Sequence, residues 1–449
     1  MFFTELATFG EAPAVWVGQK CLTYQQLNLQ VEQFCQQLPA TRSLIFLKAS
    51  NNLTSLIAYL AALKAGHAQM LLSADIHPHY LHQLCEAYQP NLLVSDGLPQ
   101  VVNLQPPAMA TDLALLLSTS GSTGSPKQVA LSYTNLQANA ESICAYLPIK
   151  PTDLTITTLP FFYSYGLSVI NSHILAGAGI VLNEHGLVTR EFWDTFRHHQ
   201  VTSFAGVPHS YEMLLRLRFT NMDLPSLRYF TQAGGRLSVD RVQLLADWAK
   251  EQGKQFYTMY GQTEATARMA FNATPAQKPA AIGRTIPGGE FKLLDHQGML
   301  ITAPELEGEL HYRGDNVMLG YTESVKDLRQ FLPAKWLATG DLACKDKDGD
   351  FFIKGRLKRI IKPFGQRLNL DEVEGLLKSI GLEANVVGND NALQVAYKNN
   401  NSDMDLRLWL SKHLGLHPSA ITLLETNVLP ALPNGKPDYP TIQRLFEHD

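Results

Sequence analysis

The sequence predicts an α/β protein with a large N-terminal domain of mostly parallel sheets with flanking helices, followed by a small C-terminal α+β domain. Its 449 residues exceed one ordinary hydrophobic core, so at least two domains are expected. Short apolar segments alternate with helical patterns through the first part of the chain, and this alternation is typical of βαβ units. From Arg356 onwards basic residues cluster and the pattern changes. We therefore predict one domain over residues 1–355 and a second over 356–449.

The individual elements are predicted from apolar periodicity. Strands are predicted at Ser43–Leu47, Met70–Leu72, Leu92–Val94, Leu154–Thr158, Ile180–Leu182, Val201–Ala205, Tyr229–Gln232 and Gln255–Met259. Helices are predicted near Leu53–Lys64, Tyr80–Tyr88, Leu167–Ala176, Arg190–His198, Ser210–Leu217 and Val239–Glu251. In the C-terminal domain, Asn369 is expected to cap a helix that ends near Gly381, followed by two short strands, a helix near Asp405–Leu414 and a last strand.

Composition excludes several classes of protein. Hydrophobic residues make up 45% and charged residues 17%, as in soluble globular proteins. The net charge of -4 gives no electrostatic basis for binding nucleic acid. No apolar run approaches the ~20 residues that span a bilayer, and the first residues lack a signal-peptide pattern. The five cysteines form no paired motif and are expected to be reduced, so we predict a cytoplasmic protein.

Two segments contain residue types that bind metals. Residues 77–85 contain three histidines and a cysteine, but their spacing matches no standard zinc site and a polar helix explains them better. Residues 346–350 contain three aspartates, but Gly349 falls at the fourth position of a calcium loop instead of the sixth. We interpret this second segment as a tight hairpin turn between two strands.

The stretch Leu117–Lys127, LSTSGSTGSPK, follows an apolar run and combines glycines, hydroxyls and one lysine. Backbone close to the ligand, hydroxyl donors and a mobile cation describe a cradle for phosphate oxygens. The P-loop pattern fails, because Pro126 and Gln128 stand where it requires glycine and Ser/Thr. A flexible linker is the alternative, but the run is short and leads to a helix start at residues 134–137, which have capping-box spacing.

Three further polar motifs follow in the chain. They are the pair QAGGRL (Gln232–Leu237) and MYGQTEA (Met259–Ala265), then Thr339–Asp341 with Arg356, and finally Leu432–Lys436. Alone, each has an ordinary explanation: Glu264 as a carboxylate favoured at a helix start, Asp341 as a turn residue and Lys436 as surface charge.

In this order, the motifs resemble the signatures of the adenylate-forming enzymes, which include acyl-CoA synthetases, carrier-protein adenylation domains and luciferases. The resemblance implies catalytic roles for Lys127, Glu264 and Lys436, with Mg²⁺ bound by Glu264. It implies that Tyr260 lies near adenine and that Thr263 contacts the α-phosphate. The full set of implied ATP or AMP contacts is Thr119, Ser120, Gly121, Ser122, Thr123, Gly124, Gly234, Gly235, Tyr260, Gly261, Thr263, Asp341 and Arg356.

The resemblance also implies an acid pocket and a hinge. The pocket residues would be Phe162, Tyr163, Val207 and Met259, whose apolar and aromatic character favours a fatty or aryl acid. No aspartate stands between Asp153 and Glu184 to pair a substrate ammonium, so an α-amino acid is disfavoured. Lys358 matches the pivot of a mobile C-terminal domain, and Phe364 and Gly365 match the segment that lines the pantetheine tunnel.

The implied function is ATP-dependent activation of a carboxylic acid to acyl-AMP with release of pyrophosphate, then transfer to a thiol, with CoA favoured. Transfer to the phosphopantetheine of a carrier protein is the alternative, because both acceptors present the same thiol. A non-catalytic nucleotide-binding regulator is a third possibility. It is disfavoured because the whole set of Lys127, Glu264, Asp341, Arg356 and Lys436 is present.

Overall fold

A computed structural model describes residues 1–118, 127–361, 363, 368–389, 391–398, 405–432 and 436–446. The predicted α/β class is confirmed in these residues. The chain forms two compact units, one from Met1–Phe291 and Tyr312–Leu337, the other from Lys292–His311 and Ala338–Asp449. The predicted boundary at Arg356 falls inside the second unit and stays a prediction about where a hinge lies.

The first unit contains a sheet of nine described strands. In spatial order they are Arg284–Thr285, Ala270–Asn272, Gln255–Tyr260, Tyr229–Gln232, Ser203–Gly206, Leu154–Ile156, Gly179–Leu182, Pro13–Val17 and Lys20–Thr23. The six strands from Gln255–Tyr260 to Pro13–Val17 pair in parallel, and the outer strands are antiparallel. The carboxyl ends of the parallel strands therefore meet at one edge, where ligands bind in open α/β sheets.

A second sheet of the first unit has seven described strands. Their order is Gly320–Thr322, Gln128–Ser132, Leu113–Ser118, Ala68–Ser73, Leu44–Ala49, Leu92–Ser95 and Leu98–Val101. The helices of this unit are Tyr24–Cys35, Leu53–Lys64, Pro78–Tyr88, Tyr133–Tyr146, Ser164–Leu175, Arg190–His198, Pro208–Arg216 and Val239–Glu251. Three of these helices have the predicted bounds, because a buried apolar stripe and a clear end residue define each of them: Leu53–Lys64, Arg190–His198 and Val239–Glu251.

The helix after the predicted phosphate loop begins earlier than the sequence suggested. The predicted capping box over residues 134–137 is wrong; the cap is Ser132, whose Oγ accepts from the Asn135 amide at 3.0 Å. Asn135 Oδ1 accepts in return from the Ser132 amide at 2.8 Å, and Asn135 Nδ2 donates to the Asp315 carbonyl at 2.6 Å. Asparagine here performs the task that glutamate or glutamine performs in the usual capping box.

A further sheet of five described strands, most of whose residues belong to the second unit, was not predicted. Its strands are Leu300–Ile301, Glu290–Leu294, Gly308–Arg313, Leu337–Lys345 and Phe351–Arg356, in that order. The last two are antiparallel and joined by the predicted hairpin, in which Asp346 Oδ1 accepts from the amides of Asp348 and Asp350 at 3.0 and 2.9 Å. The aspartates of this segment therefore shape a turn, as predicted.

The C-terminal part follows the predicted order of elements. A short pair, Ile360–Ile361 with Leu368–Asn369, precedes the helix Leu370–Ser379, which Asn369 caps. A three-stranded sheet of Ala384–Gly388, Leu393–Tyr397 and Ile421–Glu425 packs with the helices Leu406–Leu414 and Tyr439–Leu445. The final helix was not predicted.

Several sequence interpretations of single residues can be checked. His77 caps the helix Pro78–Tyr88 and His82 lies 3.3 Å from Glu86, as a polar helix requires. Among the described residues, no group of three metal-ligating side chains could hold an ion. All five cysteines are free thiols. No helix in the described part of the chain is both long and apolar enough to cross a bilayer.

The position of the helix cap generates a stability prediction. Ser132→Ala removes the side-chain acceptor of the Asn135 amide and is expected to lower the free energy of unfolding by about 0.5–2 kcal/mol. Thr134→Ala, at the exposed position that the sequence suggested, is the matched control and should change it by less than about 0.5 kcal/mol. Urea unfolding of both variants measures the difference. Equal losses would place the cap elsewhere.

Candidate active site

Three segments of the first unit converge at the carboxyl edge of the parallel strands. The strands Ser203–Gly206, Tyr229–Gln232 and Gln255–Tyr260 are neighbours in register, with Gly206 opposite Gln232 and Gln232 opposite Thr258. Each strand ends at a predicted site residue: Val207, Gly234 and Gly261 respectively. The topology therefore places side by side three segments that are far apart in sequence.

The turn after Gln255–Tyr260 folds back tightly on itself. A Cβ on Gly261 would stand 1.9 Å from the Ala267 carbonyl oxygen, so only glycine fits there. Thr266 and Ala267 both have positive φ, 51° and 84°, which L-residues rarely adopt. Such strain persists only where surrounding contacts fix the backbone, and it concentrates at functional sites.

Asn316 supplies those contacts. Its Nδ2 donates to the carbonyls of Ala265 and Arg268 at 2.8 and 2.7 Å, and its own carbonyl accepts from Thr266 Oγ1 at 2.7 Å. Asn316 is 3% exposed, and its Oδ1 accepts from the Tyr312 hydroxyl at 2.9 Å. The sequence analysis did not single out this residue, because its partners lie about 50 positions earlier in the chain.

One tyrosine connects two predicted catalytic side chains. Lys127 Nζ lies 3.8 Å from the centre of the Tyr321 ring, and the Tyr321 hydroxyl donates to Glu264 Oε1 at 2.8 Å. Burial, and then the charge of Glu264, raise the pKa of Tyr321, so it remains a phenol and a donor. Strand pairing explains the juxtaposition, since Tyr321 is opposite Val129, two residues after Lys127. Nothing in the sequence alone indicated a role for Tyr321.

Three of the four predicted acid-pocket residues come together. Tyr163, Val207 and Met259 lie in one apolar cluster at the strand ends. A Cβ on Gly234 would stand 2.6 Å from the Tyr163 hydroxyl and 3.1 Å from Val207, so this glycine, with φ 82°, keeps the space beside them open. Phe162 packs instead against the core cluster that contains Phe161 and Leu167.

A buried cation lies beside this pocket. Arg268 is 1% exposed, and its Nη1 donates to Met259 Sδ and, at 3.2 Å, to the Tyr146 hydroxyl. The sequence analysis did not select it, because nothing in the local pattern distinguishes a buried arginine from an exposed one. Ser164 links the pocket to the turn, since its Oγ lies 3.2 Å from Thr263 Oγ1.

Glu264 could bind a Mg²⁺ ion that the substrate phosphates also coordinate. It stands on the turn Thr263–Ala265, is half-buried, and is oriented by Tyr321. One carboxylate with phosphate oxygens and waters is a usual Mg²⁺ environment, so the absence of a three-residue metal cluster among the described residues is compatible with it.

The second unit brings together three other predicted residues. Asp341 is 2% exposed and accepts from Arg356 Nε at 3.1 Å, the two residues being register partners in the hairpin. Gly340, with φ 70°, makes the bend before Asp341. Burial, and then the charge of Arg356, lower the pKa of Lys436. Lys358 is exposed in the short turn Leu357–Arg359.

Eight predicted site residues lie outside the described residues. They are Thr119, Ser120, Gly121, Ser122, Thr123 and Gly124 of the predicted phosphate loop, and Phe364 and Gly365 of the predicted tunnel. Tyr260 and Gly235 are described. Tyr260 lies at the end of its strand with its ring centre 6.4 Å from that of Phe291, and the Gly235 carbonyl accepts from Gln232 Nε2 at 2.9 Å.

The fold and the residues at the strand ends define an adenylate-forming protein. A family model described as AMP-binding enzyme matches residues 99–322, about half of the chain. The chain belongs to this family.

Particular relatives agree with this assignment. Oxalate–CoA ligase of Arabidopsis thaliana is 30% identical over 273 residues, 59% of this chain and 52% of the relative. 3-Hydroxybenzoate–CoA ligase of Aromatoleum sp. (strain CIB) is 24% identical over 425 residues, 84% of this chain and 80% of the relative. The chain spans about half the length of the first curated relatives it matches, 50–52%.

Solved structures share the fold over almost the whole chain. O-succinylbenzoate coenzyme A synthetase from Bacillus subtilis, in complex with ATP and magnesium ion, aligns with a TM-score of 0.81 at 20% identity, covering 98% of this chain and 99% of that one. ATP-bound MatB from Rhodopseudomonas palustris aligns with a TM-score of 0.80 at 18% identity, covering 100% and 99%. At this level of identity the likeness establishes the fold.

The contact between Tyr321 and Glu264 generates a prediction about metal dependence. Tyr321→Phe removes the hydroxyl donor and keeps the ring beside Lys127. We expect the Mg²⁺ concentration that gives half-maximal ATP-dependent activity to rise about three- to tenfold. A hydrogen-bond partner that orients a metal ligand raises the affinity for the metal, and the effect is moderate here because the contact between Tyr321 and Glu264 is partly exposed to solvent. Tyr88→Phe, which removes a buried hydroxyl bonded to Thr322, is the matched control. An unchanged Mg²⁺ dependence would contradict this role.

The surroundings of Lys436 generate a prediction about pH. Because burial and Arg356 lower the pKa of Lys436, its amine should become reactive toward an acylating reagent at a lower pH than an ordinary lysine. Arg356→Gln removes one of these causes, so the reactivity curve should move to higher pH. Mass spectrometry of Lys436 labelling across pH measures it, with the exposed Arg407→Gln as control. A shift of equal size in both variants would exclude Arg356 as a cause.

Proposed function

We propose that this protein activates a carboxylic acid, with a fatty or aryl acid favoured, by forming acyl-AMP from ATP with release of pyrophosphate. The acyl group is then transferred to a thiol, and CoA is the favoured acceptor. The names of the relatives support this choice of acceptor, since oxalate–CoA ligase, 3-hydroxybenzoate–CoA ligase and long-chain-fatty-acid–CoA ligase are among them. We place the reaction in the cytoplasm, to which the free thiols are suited.

One observation carries the proposal: the apolar pocket and the predicted phosphate ligands adjoin. Ser164 follows Tyr163 at the start of a helix and its hydroxyl lies 3.2 Å from that of Thr263, next to Glu264. An acid whose chain lies among Tyr163, Val207 and Met259 would therefore present its carboxylate at the turn where the α-phosphate is predicted to bind. Holding two reactants in such proximity supplies a large part of catalysis.

The chemical obstacle is that both reactants are anions. Lys127, held at the ring of Tyr321, would neutralise phosphate charge, and Glu264 would hold Mg²⁺, which supplies further positive charge to the phosphates when bound. Asp341 would accept from the ribose hydroxyls, with Arg356 beside it. Lys436 would contribute its charge to the acyl carboxylate and the α-phosphate during adenylation.

The thiol step would require the charge of Lys436 to leave the site. In the proposed scheme the part of the chain after Lys358 turns about that residue after pyrophosphate leaves, and a thiol then attacks the acyl-AMP carbonyl and displaces AMP. Leu357 and Lys358 are exposed in the short turn between two strands, which supports a pivot there, whereas Arg359 is held by Asp371 and Glu374 in the part that would turn.

The decisive experiment is acid-dependent pyrophosphate release from MgATP. A panel of fatty, aryl and amino acids is tested with the wild type and with Lys436→Ala, which should lower the rate of adenylation about 10²–10³-fold because one charge contact to the transition state is lost. Lys398→Ala, at an exposed ion pair in the same unit, is the control and should keep the rate. CoA and a holo carrier protein are then compared as acceptors of the acyl group.

Each result has a distinct meaning. Release with fatty or aryl acids and loss in Lys436→Ala support the proposal, and AMP release with free CoA supports CoA as acceptor. Release of AMP only with the holo carrier protein would move the assignment to that acceptor. ATP binding without release for any acid would overturn the proposed activity and favour a nucleotide-binding regulator.

A further inference from the structure

We propose that Arg268 binds a second anionic group on the substrate, so that the preferred acid is a dicarboxylate whose carboxylates stand about 6 Å or more apart. This inference rests on the proposed function of the pocket formed by Tyr163, Val207 and Met259. It narrows the acid to one that carries a carboxylate at the end remote from the reacting one.

The guanidinium of Arg268 is buried among weak acceptors. Its Nε and Nη2 donate to Ser168 Oγ at 3.2 and 3.1 Å, and its Nη1 donates to the Tyr146 hydroxyl and to Met259 Sδ. The guanidinium carbon lies 4.4 Å from the centre of the Tyr165 ring. Two hydroxyls, a thioether and a ring are all neutral, so the positive charge is not matched by a negative one.

Two other arginines that are at least partly shielded have carboxylate partners, whereas the half-buried Arg42 donates to backbone carbonyls. Arg228 pairs with the buried Asp153, and Arg359 pairs with Asp371 and Glu374. Within the described residues, no aspartate or glutamate forms an ion pair with Arg268. Since a buried charge is costly unless it is paired, the near-complete burial of Arg268 among neutral partners points to a ligand that supplies the missing anion.

The backbone around Arg268 is held in an unusual conformation by hydrogen bonds. Thr266 and Ala267, immediately before it, have positive φ, and the Arg268 carbonyl accepts from Asn316 Nδ2 at 2.7 Å and Asn139 Nδ2 at 3.5 Å. Stored backbone strain at this point is expected where a side chain is placed for binding. A residue that merely filled the core would not require it.

Arg268 adjoins the predicted acid pocket. It contacts Met259 directly, and its charge partly offsets the rise that burial causes in the pKa of Tyr163. A carboxylate that entered here would replace neutral acceptors with a charge-assisted hydrogen bond to the planar guanidinium, which is the stronger interaction.

The helix Ser164–Leu175 sets the length of the acid. Ser164 contacts Thr263, where the reacting carboxylate is expected, whereas Ser168 contacts Arg268. These serines are four positions apart, which is about 6 Å along a helix axis. The two ends of the substrate are therefore held one helical turn apart, which suits a six-carbon linear diacid or a para-substituted benzene diacid.

The test compares matched acids that differ only in charge at the far end. Benzene-1,4-dicarboxylate is paired with 4-carbamoylbenzoate and 4-methylbenzoate, and hexanedioate is paired with heptanoate, in the pyrophosphate-release assay. For the wild type we expect kcat/KM to favour the diacid at least about 100-fold. In Arg268→Met the ratio should fall to near one or reverse, with the KM for ATP changed less than twofold, and Arg268→Lys should retain part of the preference.

A loss of folding is separated from a loss of recognition in two ways. Arg42→Met removes a half-buried guanidinium, which donates to the carbonyls of Ala110 and Leu113, and should keep the diacid preference even if stability falls. If Arg268→Met does not fold, the wild-type ratios decide alone. Calorimetric binding of the diacid to wild type, measured without ATP turnover, should be tighter than that of the neutral acids.

The outcomes distinguish the two proposals. Release driven only by neutral acids, or an unchanged diacid ratio in Arg268→Met, overturns the inference and leaves the proposed function standing. No release with any acid overturns the proposed function. In that case, diacid binding that Arg268→Met abolishes still supports Arg268 as an anion site, and equal binding by both proteins overturns it.

Discussion

The folded-back turn after the strand Gln255–Tyr260 is the constraint on which the first unit's site depends. Gly261 has no room for a side chain, because the carbonyl of Ala267 occupies the place of a Cβ. The close approach is stabilised by Asn316, which donates to the carbonyls of Ala265 and Arg268 and accepts from the Thr266 hydroxyl. As a result, one short segment carries Glu264 toward the predicted phosphates and Arg268 beside the predicted acid pocket.

Electrostatics explains why so many residues outside the family signatures surround this turn. A reaction between a carboxylate and a phosphate requires positive charge whose position is fixed before the substrates arrive. Tyr321 has no charge of its own, but it helps to fix the positions of two charged side chains. Its ring contacts Lys127 and its hydroxyl orients Glu264. In the second unit, Asp341 orients Arg356 in a comparable way, through a hairpin register that makes them partners.

The space at the predicted acid pocket depends on a glycine as well as on the side chains around it. Gly234 leaves space beside Tyr163 and Val207, where a Cβ would collide with both. Burying Arg268 beside such a pocket would destabilise the protein if no anion ever reached it. In the proposed function, this combination of apolar side chains with one cation would select an aryl or linear acid that ends in a second carboxylate.

The sequence by itself determined the fold class, several helices to the residue, the cap at Asn369, and the family. These features depend on local periodicity, cap chemistry and short contiguous motifs, which can be read along the chain. It did not predict the complete five-stranded sheet, of which only the hairpin between Leu337–Lys345 and Phe351–Arg356 was expected and which includes a strand of only two residues, Leu300–Ile301. It also placed the cap of the helix Tyr133–Tyr146 two residues late, because Asn135 completes the capping box from a position where glutamate is usual.

Only the tertiary structure decided which side chains meet. Tyr321 reaches Lys127 because two antiparallel strands pair, and Asn316 reaches residues 265–268 across about 50 positions of sequence. The burial of Arg268 and the packing of Phe162 away from Tyr163 are likewise properties of the assembled core. Contacts of this kind leave no local pattern, since their energy depends on groups that only folding brings together.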